Sequence, residues 1–358
     1  MPSASVTAKI ASISFIVTDS SIRPPPGALL GAARLIDAVD EGESEKIRLG
    51  VSSCLLGQEV RFDGGHKRDL FLTDVLGAFV DWVPVCPEVE IGLGIPRDTI
   101  RLAGDAAAPR LVVEKTGEDL TARMRRYAEA KVRALEALGL HGYVLKRASP
   151  SCGLFRVRVH HPNGLPSAAG RGLYAETLVA RFPLLPIEEE GRLTDAGIRE
   201  NFVERVFAVA RWRRFLAAGP RPRDLVAFHA AQKLAVLAHS PAHYAALGRL
   251  VARAGRALTR AALDEYGTGL MEALAVRATR ARHTNVLQHL AGYVKRELDA
   301  PGRAELAEAI QEYRRGLAPL VVPLTLVRHY VRRFGVASLA DQVYLDPHPK
   351  ELMLRNHV

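Results

Sequence analysis

Cys54, Cys86 and Cys152 are the only cysteines in this chain, and they are its most chemically suggestive residues. Three is an odd number, so they cannot all pair with one another in disulfides. In a reducing compartment the thiols stay free to ligate a metal or to react. None belongs to a CxxC pair, whereas a structural zinc site draws four ligands from closely spaced pairs. Three thiolates suit a 4Fe–4S cluster that leaves one iron without a protein ligand, since thiolates favour iron–sulfur clusters and zinc. Spacing alone leaves buried or unrelated thiols as an open alternative. His229 and His239 also invite a metal reading, but they are not an i, i+4 pair on one helix face and read as core or surface histidines.

The elements that must position the cysteines alternate between short apolar runs and helical patterns. Ile47–Val51, Trp82–Val85, Leu111–Glu114 and Gly142–Leu145 read as strands. Thr73–Val80 and Asp119–Leu138 read as helices, with Asp119 or Thr121 placed to cap the second. This alternation predicts an α/β, Rossmann-like domain with a mainly parallel sheet and helices on both faces. Each cysteine follows a predicted strand. In open parallel sheets ligands lie beyond the carboxyl ends of the strands, so three cysteines distant in sequence are expected to meet at one sheet edge. From Asp195 onward the pattern is helical. Helices are expected over Asp195–Leu216, Pro222–His239, Pro241–Ala254, Thr259–Ala278, Thr284–Leu298, Ala304–Gly316 and Pro319–Phe334, with Pro, Gly and Asp at the joints.

The words around the cysteines carry a resemblance. They are Val51-Ser52-Ser53-Cys54-Leu55-Leu56-Gly57, Arg61-Phe62-Asp63-Gly64-Gly65, Cys86-Pro87-Glu88-Val89 with Gly92-Leu93 and Ile95-Pro96-Arg97, and Lys146-Arg147-Ala148-Ser149-Pro150-Ser151-Cys152-Gly153. In this order they resemble the thiouracil desulfidase family over about residues 46–190. Phe228–Lys233, Ala238-His239-Ser240, Tyr244–Leu250 and Tyr344–Asn356 resemble a helical domain without an assigned function. Together the two halves are similar to the long desulfidases that remove sulfur from 4-thiouridine in transfer RNA.

The resemblance implies that Cys54, Cys86 and Cys152 bind three irons of a 4Fe–4S cluster. The fourth iron takes the thiocarbonyl sulfur, water replaces it on the ring, and sulfide leaves without a redox partner. It implies Glu88 as the general acid/base, a role that contributes about 100- to 10,000-fold in rate. The bland alternative for Glu88 is an ion pair with Arg97 or Lys146. Ser149 and Ser151 flank Pro150 beside the third cysteine and are candidates to hydrogen-bond the substrate or a cluster sulfur, with Ser149 favoured as catalytic. Ordinary Ser-Pro turn chemistry is their alternative. Asp63-Gly64-Gly65 reads as a tight turn and is assigned no catalytic role.

Composition places the chain among globular proteins, with 48% hydrophobic and 25% charged residues. No run approaches the roughly 20 apolar residues of a membrane span, and with free thiols the expected location is cytoplasmic. Residues 1–45 read as a flexible leader, with Pro24–Pro26 and the acidic Asp40–Glu45. The stretch Ile10–Val17 lacks the flanks of a secretory signal. Residues 46–192 then form the iron–sulfur domain and residues 193–358 a basic all-α domain. The net charge of +10 is concentrated in the latter, which holds 25 Lys and Arg against 15 Asp and Glu. That asymmetry points to a polyanion, here RNA, with an Arg-rich solvated surface as the alternative. Arg211, Arg213 and Arg214 around Trp212, and the pairs Lys295-Arg296, Arg314-Arg315 and Arg332-Arg333, are the candidate phosphate contacts, with Trp212 or tyrosines stacking on bases. Two other readings stay open: a desulfidase of free thiouracil or thionucleosides, and a non-catalytic iron–sulfur RNA-binding or sensor protein.

Overall fold

A computed structural model describes residues 47–161, 165–255 and 257–358; the leader expected over residues 1–45 lies outside them. The strands are β1 (Ile47–Ser52), β2 (Val80–Val85), β3 (Ile100–Ala103), β4 (Arg110–Val113), β5 (Gly142–Leu145), β6 (Val157–His160), β7 (Pro166–Gly170) and β8 (Ile187–Glu189). β2, β1, β5 and β8 pair in that order, all parallel, as the main sheet. Strands buried on both faces read as continuous apolar runs, which is why β1 and β5 were legible. Pro84 is tolerated because β2 is an edge strand. Gly50 is required by packing: a Cβ there would lie 2.1 Å from the Tyr143 ring.

The two faces of this sheet divide by the period-2 alternation of side chains. Tyr143 and Leu145 join α1 (Thr121–Ala137) and α2 (Leu173–Arg181) in one core, to which α1 contributes Met124, Ala128, Val132 and Leu135 at helical spacing. Leu49, Val51 and Val144 face the other way, onto Phe202, Val203, Val206 and Ala210 of α3 (Ala196–Ala217). Helices therefore cover both faces, and the first helix of the C-terminal half supplies part of one layer.

Three local expectations are corrected. The helix predicted over Thr73–Val80 is a wide turn at Phe71–Val75 followed by a tight 3₁₀ turn at Leu76–Ala78, and Val80 opens β2. Leu120, not Asp119 or Thr121, occupies the cap position of α1; Asp119 Oδ1 accepts from the Thr121 amide at 2.8 Å, and Thr121 Oγ accepts from Leu111. A second sheet, ordered β4-β3-β6-β7 and mixed in direction, was not anticipated beyond the strand expected over Leu111–Glu114. Its strands are four or five residues long and partly exposed, so their alternation is weak.

The C-terminal region is helical: α4 (Pro222–His239), α5 (Pro241–Ala254), α6 (Arg260–Ala275), α7 (Arg280–Val294), α8 (Ala300–Arg315) and α9 (Val321–Phe334) follow α3. α7 and α8 begin four residues earlier than the apolar pattern implies. Thr279 and Asp299 cap them, accepting from the Arg282 and Gly302 amides. The tail then returns across the molecule: the Val343 amide bonds Ala231, while Leu352 and Leu354 join the core under the main sheet. A buried ionic network fastens it. Arg355 Nε donates to Glu200 at 3.1 Å, and His239 Nε2 meets Glu204 at 3.1 Å. His239 Nδ1 faces the Val276 carbonyl, and His229 bonds the Tyr266 hydroxyl, so both histidines are engaged within the helical core.

Candidate active site

The register of the main sheet decides where the cysteines go. Ser52 pairs opposite Val85 and Val51 opposite Val144, so β1, β2 and β5 end nearly flush. Cys54 lies in a 3₁₀ turn just past β1, closed by Gly57 in the left-handed region at φ 90°, where glycine is unstrained. Cys86 follows β2 directly and starts the helical turn Pro87–Glu90, with proline at its first position. Cys152 lies in the loop after β5. All three line one cavity of about 360 Å³, together with Glu88, Ser149, Arg61, Lys67, Arg97 and Lys146. That volume lies at the small end of the range for small-molecule sites.

The loop bearing Cys152 is tightly wound. Ser149 Oγ accepts from the Ser151 and Cys152 amides at 3.2 and 3.1 Å, and the Gly153 amide bonds the Ser149 carbonyl. A Cβ on Gly153 would lie 2.7 Å from that carbonyl oxygen and 2.4 Å from Val157 Cγ2. Ser-Pro turn chemistry is thus present, and the hydroxyls also reach across the cavity. Ser151 Oγ donates to Glu88 Oε1 at 2.6 Å and Ser149 Oγ to the same oxygen at 3.3 Å. The other carboxylate oxygen pairs with Arg97 Nη2. Arg97 is itself held by the carbonyls of Val60 and Gly94 at 3.0 and 3.1 Å. Of the two ion pairs considered for Glu88, the one with Arg97 forms; Lys146 pairs with Glu190 instead.

Burial pushes the Cys54 thiol up to about 11 against the pull of Lys146, with Cys86 adding to the rise. Burial likewise raises Cys86, opposed by the Val89 amide and reinforced by Glu88. Cys152 is raised furthest, by burial first and then by Glu88. Metal loading at these thiols must therefore expel protons. Among the described residues no three His, Cys, Asp or Glu side chains are grouped to grip a single ion. All three thiols open onto the one cavity, and thiolates are the donors that hold iron–sulfur clusters. Arg61, Lys67, Arg97 and Lys146 also line the cavity, and three of them are paired, Arg61 with Asp63, Arg97 with Glu88 and Lys146 with Glu190. The donor set fits the cluster expected from sequence, and the chain has no fourth cysteine to close it.

Sequence reasoning named the three thiols, Glu88, Ser149 and Ser151, which the fold brings together here. It gave Arg97 no more than an alternative ion pair and gave Ser52 no role, although Ser52 Oγ receives the Lys146 amide at 2.9 Å and helps hold down Cys152. Their signal was position within the same words, Ile95-Pro96-Arg97 and Val51-Ser52-Ser53. The turn Asp63-Gly64-Gly65 presents Arg61 and Phe62 to the cavity and does not line it. On the helical side, Trp212 is corrected as a base-stacking candidate. It is 9% exposed and stacks on Phe215 at 5.3 Å beside Phe228 and Tyr266. Arg211 Nη1 donates inward to the Pro347 carbonyl at 2.7 Å. Lys295-Arg296, Arg314-Arg315 and Arg332-Arg333 are exposed at or near the carboxyl ends of α7, α8 and α9, where cations also complement the helix dipole.

Comparison with known proteins finds two family matches. Residues 49–190 match 2-thiouracil desulfurase, and residues 233–349 match DUF1722, a protein of unknown function. The chain is 34% identical over 156 residues to the uncharacterized protein YbgA of Escherichia coli K12, spanning 42% of this chain and 90% of that one. It is 31% identical over 111 residues to the uncharacterized protein YbbK of Bacillus subtilis 168, spanning 29% of this chain and 71% of that one. Among solved structures it is similar to the 4Fe–4S-dependent thiouracil desulfidase TudS. The match has 35% identity and a TM-score of 0.35, and covers 42% of this chain and 95% of that chain.

Proposed function

Because the chain belongs to the 2-thiouracil desulfurase family through residues 49–190, joined to a DUF1722 region over residues 233–349, we propose that it is a cluster-dependent, non-redox desulfidase of thiolated uracil acting on 4-thiouridine in transfer RNA. The observation that carries this reading is the cavity itself: Cys54, Cys86 and Cys152 share it with a carboxylate, Glu88, that accepts hydrogen bonds from Ser149 and Ser151. Cys54, Cys86 and Cys152 would hold a 4Fe–4S cluster by three of its irons, since the chain has no fourth cysteine. When bound, that cluster supplies a Lewis acid for the thiocarbonyl sulfur. The parallel sheet is then used in Rossmann-like fashion, with chemistry beyond its carboxyl edge.

The chain's own groups provide the proton handling. Glu88 Oε1 is positioned to take a proton from an attacking water, while Arg97 on Oε2 fixes the plane of the carboxylate. Ser151 holds that oxygen in place, and Ser149, which lines the cavity and makes the longer bond, can turn its hydroxyl from Glu88 to a substrate carbonyl. Water enters and hydrogen sulfide leaves: a C–O bond replaces the C–S bond, and no electron donor is consumed. Residues 46–192 carry the chemistry in this reading, and the exposed basic pairs of residues 193–358 face the RNA.

The test is anaerobic purification with iron and sulfide quantification, followed by sulfide release from thiolated transfer RNA and from free thiouracil. Release from the RNA at higher kcat/KM supports the proposal. Release from the free base alone assigns the chain to small-molecule chemistry, which the modest cavity volume also accommodates. Iron loading without turnover on either substrate rejects the enzyme reading in favour of a binding or sensing role.

A further inference from the structure

A second, larger cleft adjoins the cysteine cavity. Its volume is about 1040 Å³, and it shares Ile100, Arg147, Ala148 and Pro150 with the first cavity, so these residues form a wall common to both. Strands β3, β6 and β7 of the mixed sheet form much of its floor. Its lining is strongly cationic, with Arg101, Arg147, Arg156, Arg158 and Arg192. The carboxylates in its wall are already engaged: Glu189 accepts the Leu154 and Phe155 amides at 2.8 and 3.1 Å, and Glu114 accepts from Thr99. Arg192 pairs with Glu188 at 2.7 Å. Among the described residues, the other four arginines have no carboxylate within ion-pair distance. Arg147, Arg156 and Arg158 are exposed, and Arg101 is half-buried with its Nε unpartnered.

Four uncompensated guanidinium groups in one cleft repel one another, and a polyanion relieves that cost. The cleft also carries a flat surface. Phe155 is 40% exposed, and the Arg192 guanidinium lies over its ring, 4.8 Å from the centroid. Arginine planes and phenylalanine rings are the surfaces on which unpaired bases stack. Arg156 holds its place at φ 53°, in a left-handed conformation where glycine or asparagine would be easier. A cleft that joins cationic lining, a stacking platform and a wall shared with the cysteine cavity fits a strand of nucleotides better than a peptide or a small anion.

We propose that this cleft binds the single-stranded ribose-phosphate segment flanking the base in the cysteine cavity. The first phosphate contacts then lie on the mixed sheet of the N-terminal half, before any contact to the helical region. The proposal rests on the cavity being the sulfur-removing site, but it concerns binding and is tested without turnover.

The experiment measures fluorescence anisotropy of a labelled single-stranded RNA without sulfur, on the full chain, across a salt series. Three proteins are compared: wild type, Arg156→Ala/Arg158→Ala, and a charge-matched control, Arg125→Ala/Arg126→Ala. The control pair is exposed on α1, outside both cavities. Circular dichroism confirms that each variant is folded. Loss of two phosphate contacts is expected to weaken binding roughly tenfold and to lower the slope of log K against log salt by about 1.4, while the control stays near wild type. Phe155→Ala is expected to weaken RNA several-fold but leave inorganic polyphosphate binding unchanged, since polyphosphate has no base to stack. The proposal is overturned if wild type fails to bind the RNA, or if the groove and control variants lose affinity equally. It is also overturned if Phe155→Ala affects RNA and polyphosphate alike. Each of these outcomes can occur whether or not the protein releases sulfide.

Discussion

At the scale of single residues, Glu88 is the group to which the proposed reaction assigns proton transfer. Both of its oxygens are committed within the cavity, one to two hydroxyls and one to a guanidinium. Glu88→Gln keeps the shape but removes the proton acceptor. Sulfide release should fall about 100- to 10,000-fold, with iron content and visible absorbance retained. A fall of less than tenfold would place the base elsewhere. Gly153 is the most constrained position of the same loop, since an added Cβ meets backbone on one side and Val157 on the other. Gly153→Ala is expected to displace Ser149, Ser151 and Cys152 together, lowering iron retention and costing about 1–3 kcal/mol of stability by overpacking. Iron content alongside a urea titration checks both effects.

At the scale of elements, the contact between α3 and the end of α4 is set by His239 and Glu204. Burial lowers the imidazolium, but the facing Glu204 outweighs it and raises His239 above its ordinary value of 6.5. For Glu204 burial acts upward, and His239 and Arg355 reverse it, holding the carboxyl well below the usual range. A raised His contributes stability below pH 6.5 that is lost as pH climbs through its folded-state pKa. A depressed Glu contributes stability above its unfolded value that is lost as pH falls through the folded one. Thermal stability should therefore decline on the alkaline side of pH 6.5. The decline should be flatter in His239→Gln than in wild type. Parallel alkaline limbs in scanning calorimetry of the two proteins would remove His239 from the account.

At the scale of the whole molecule, the C-terminal tail ties the helical region to the sheet. Leu352 and Leu354 pack under β1, while Arg355 reaches Glu200, the Tyr344 carbonyl and the Tyr344 ring. Arg355→Ala leaves Glu200 buried without its guanidinium, a change worth roughly 3–5 kcal/mol. Because the same core holds α3 and the main sheet, iron-site absorbance and helical signal are expected to be lost in one transition at a lower denaturant midpoint. Two separated transitions in the variant would mean that the halves fold independently. Among the described residues no helix is long and apolar enough to cross a membrane.

Much of this was legible before folding because it is local. Apolar runs of four to six residues announced β1, β2 and β5. Helical spacing with Pro, Gly and Asp at the joints announced α1 and α3 to α9, and the cysteine words named the thiols, Glu88 and both serines. What local pattern cannot carry is pairing between distant segments. The flush register of β1, β2 and β5, the choice of Arg97 over Lys146, the burial of Trp212 among aromatics and the arginine cleft on the mixed sheet all depend on which surfaces pack together. Periodicity states that a residue has a buried face; only the assembled neighbours decide whether that face meets a core, a cavity or a ligand.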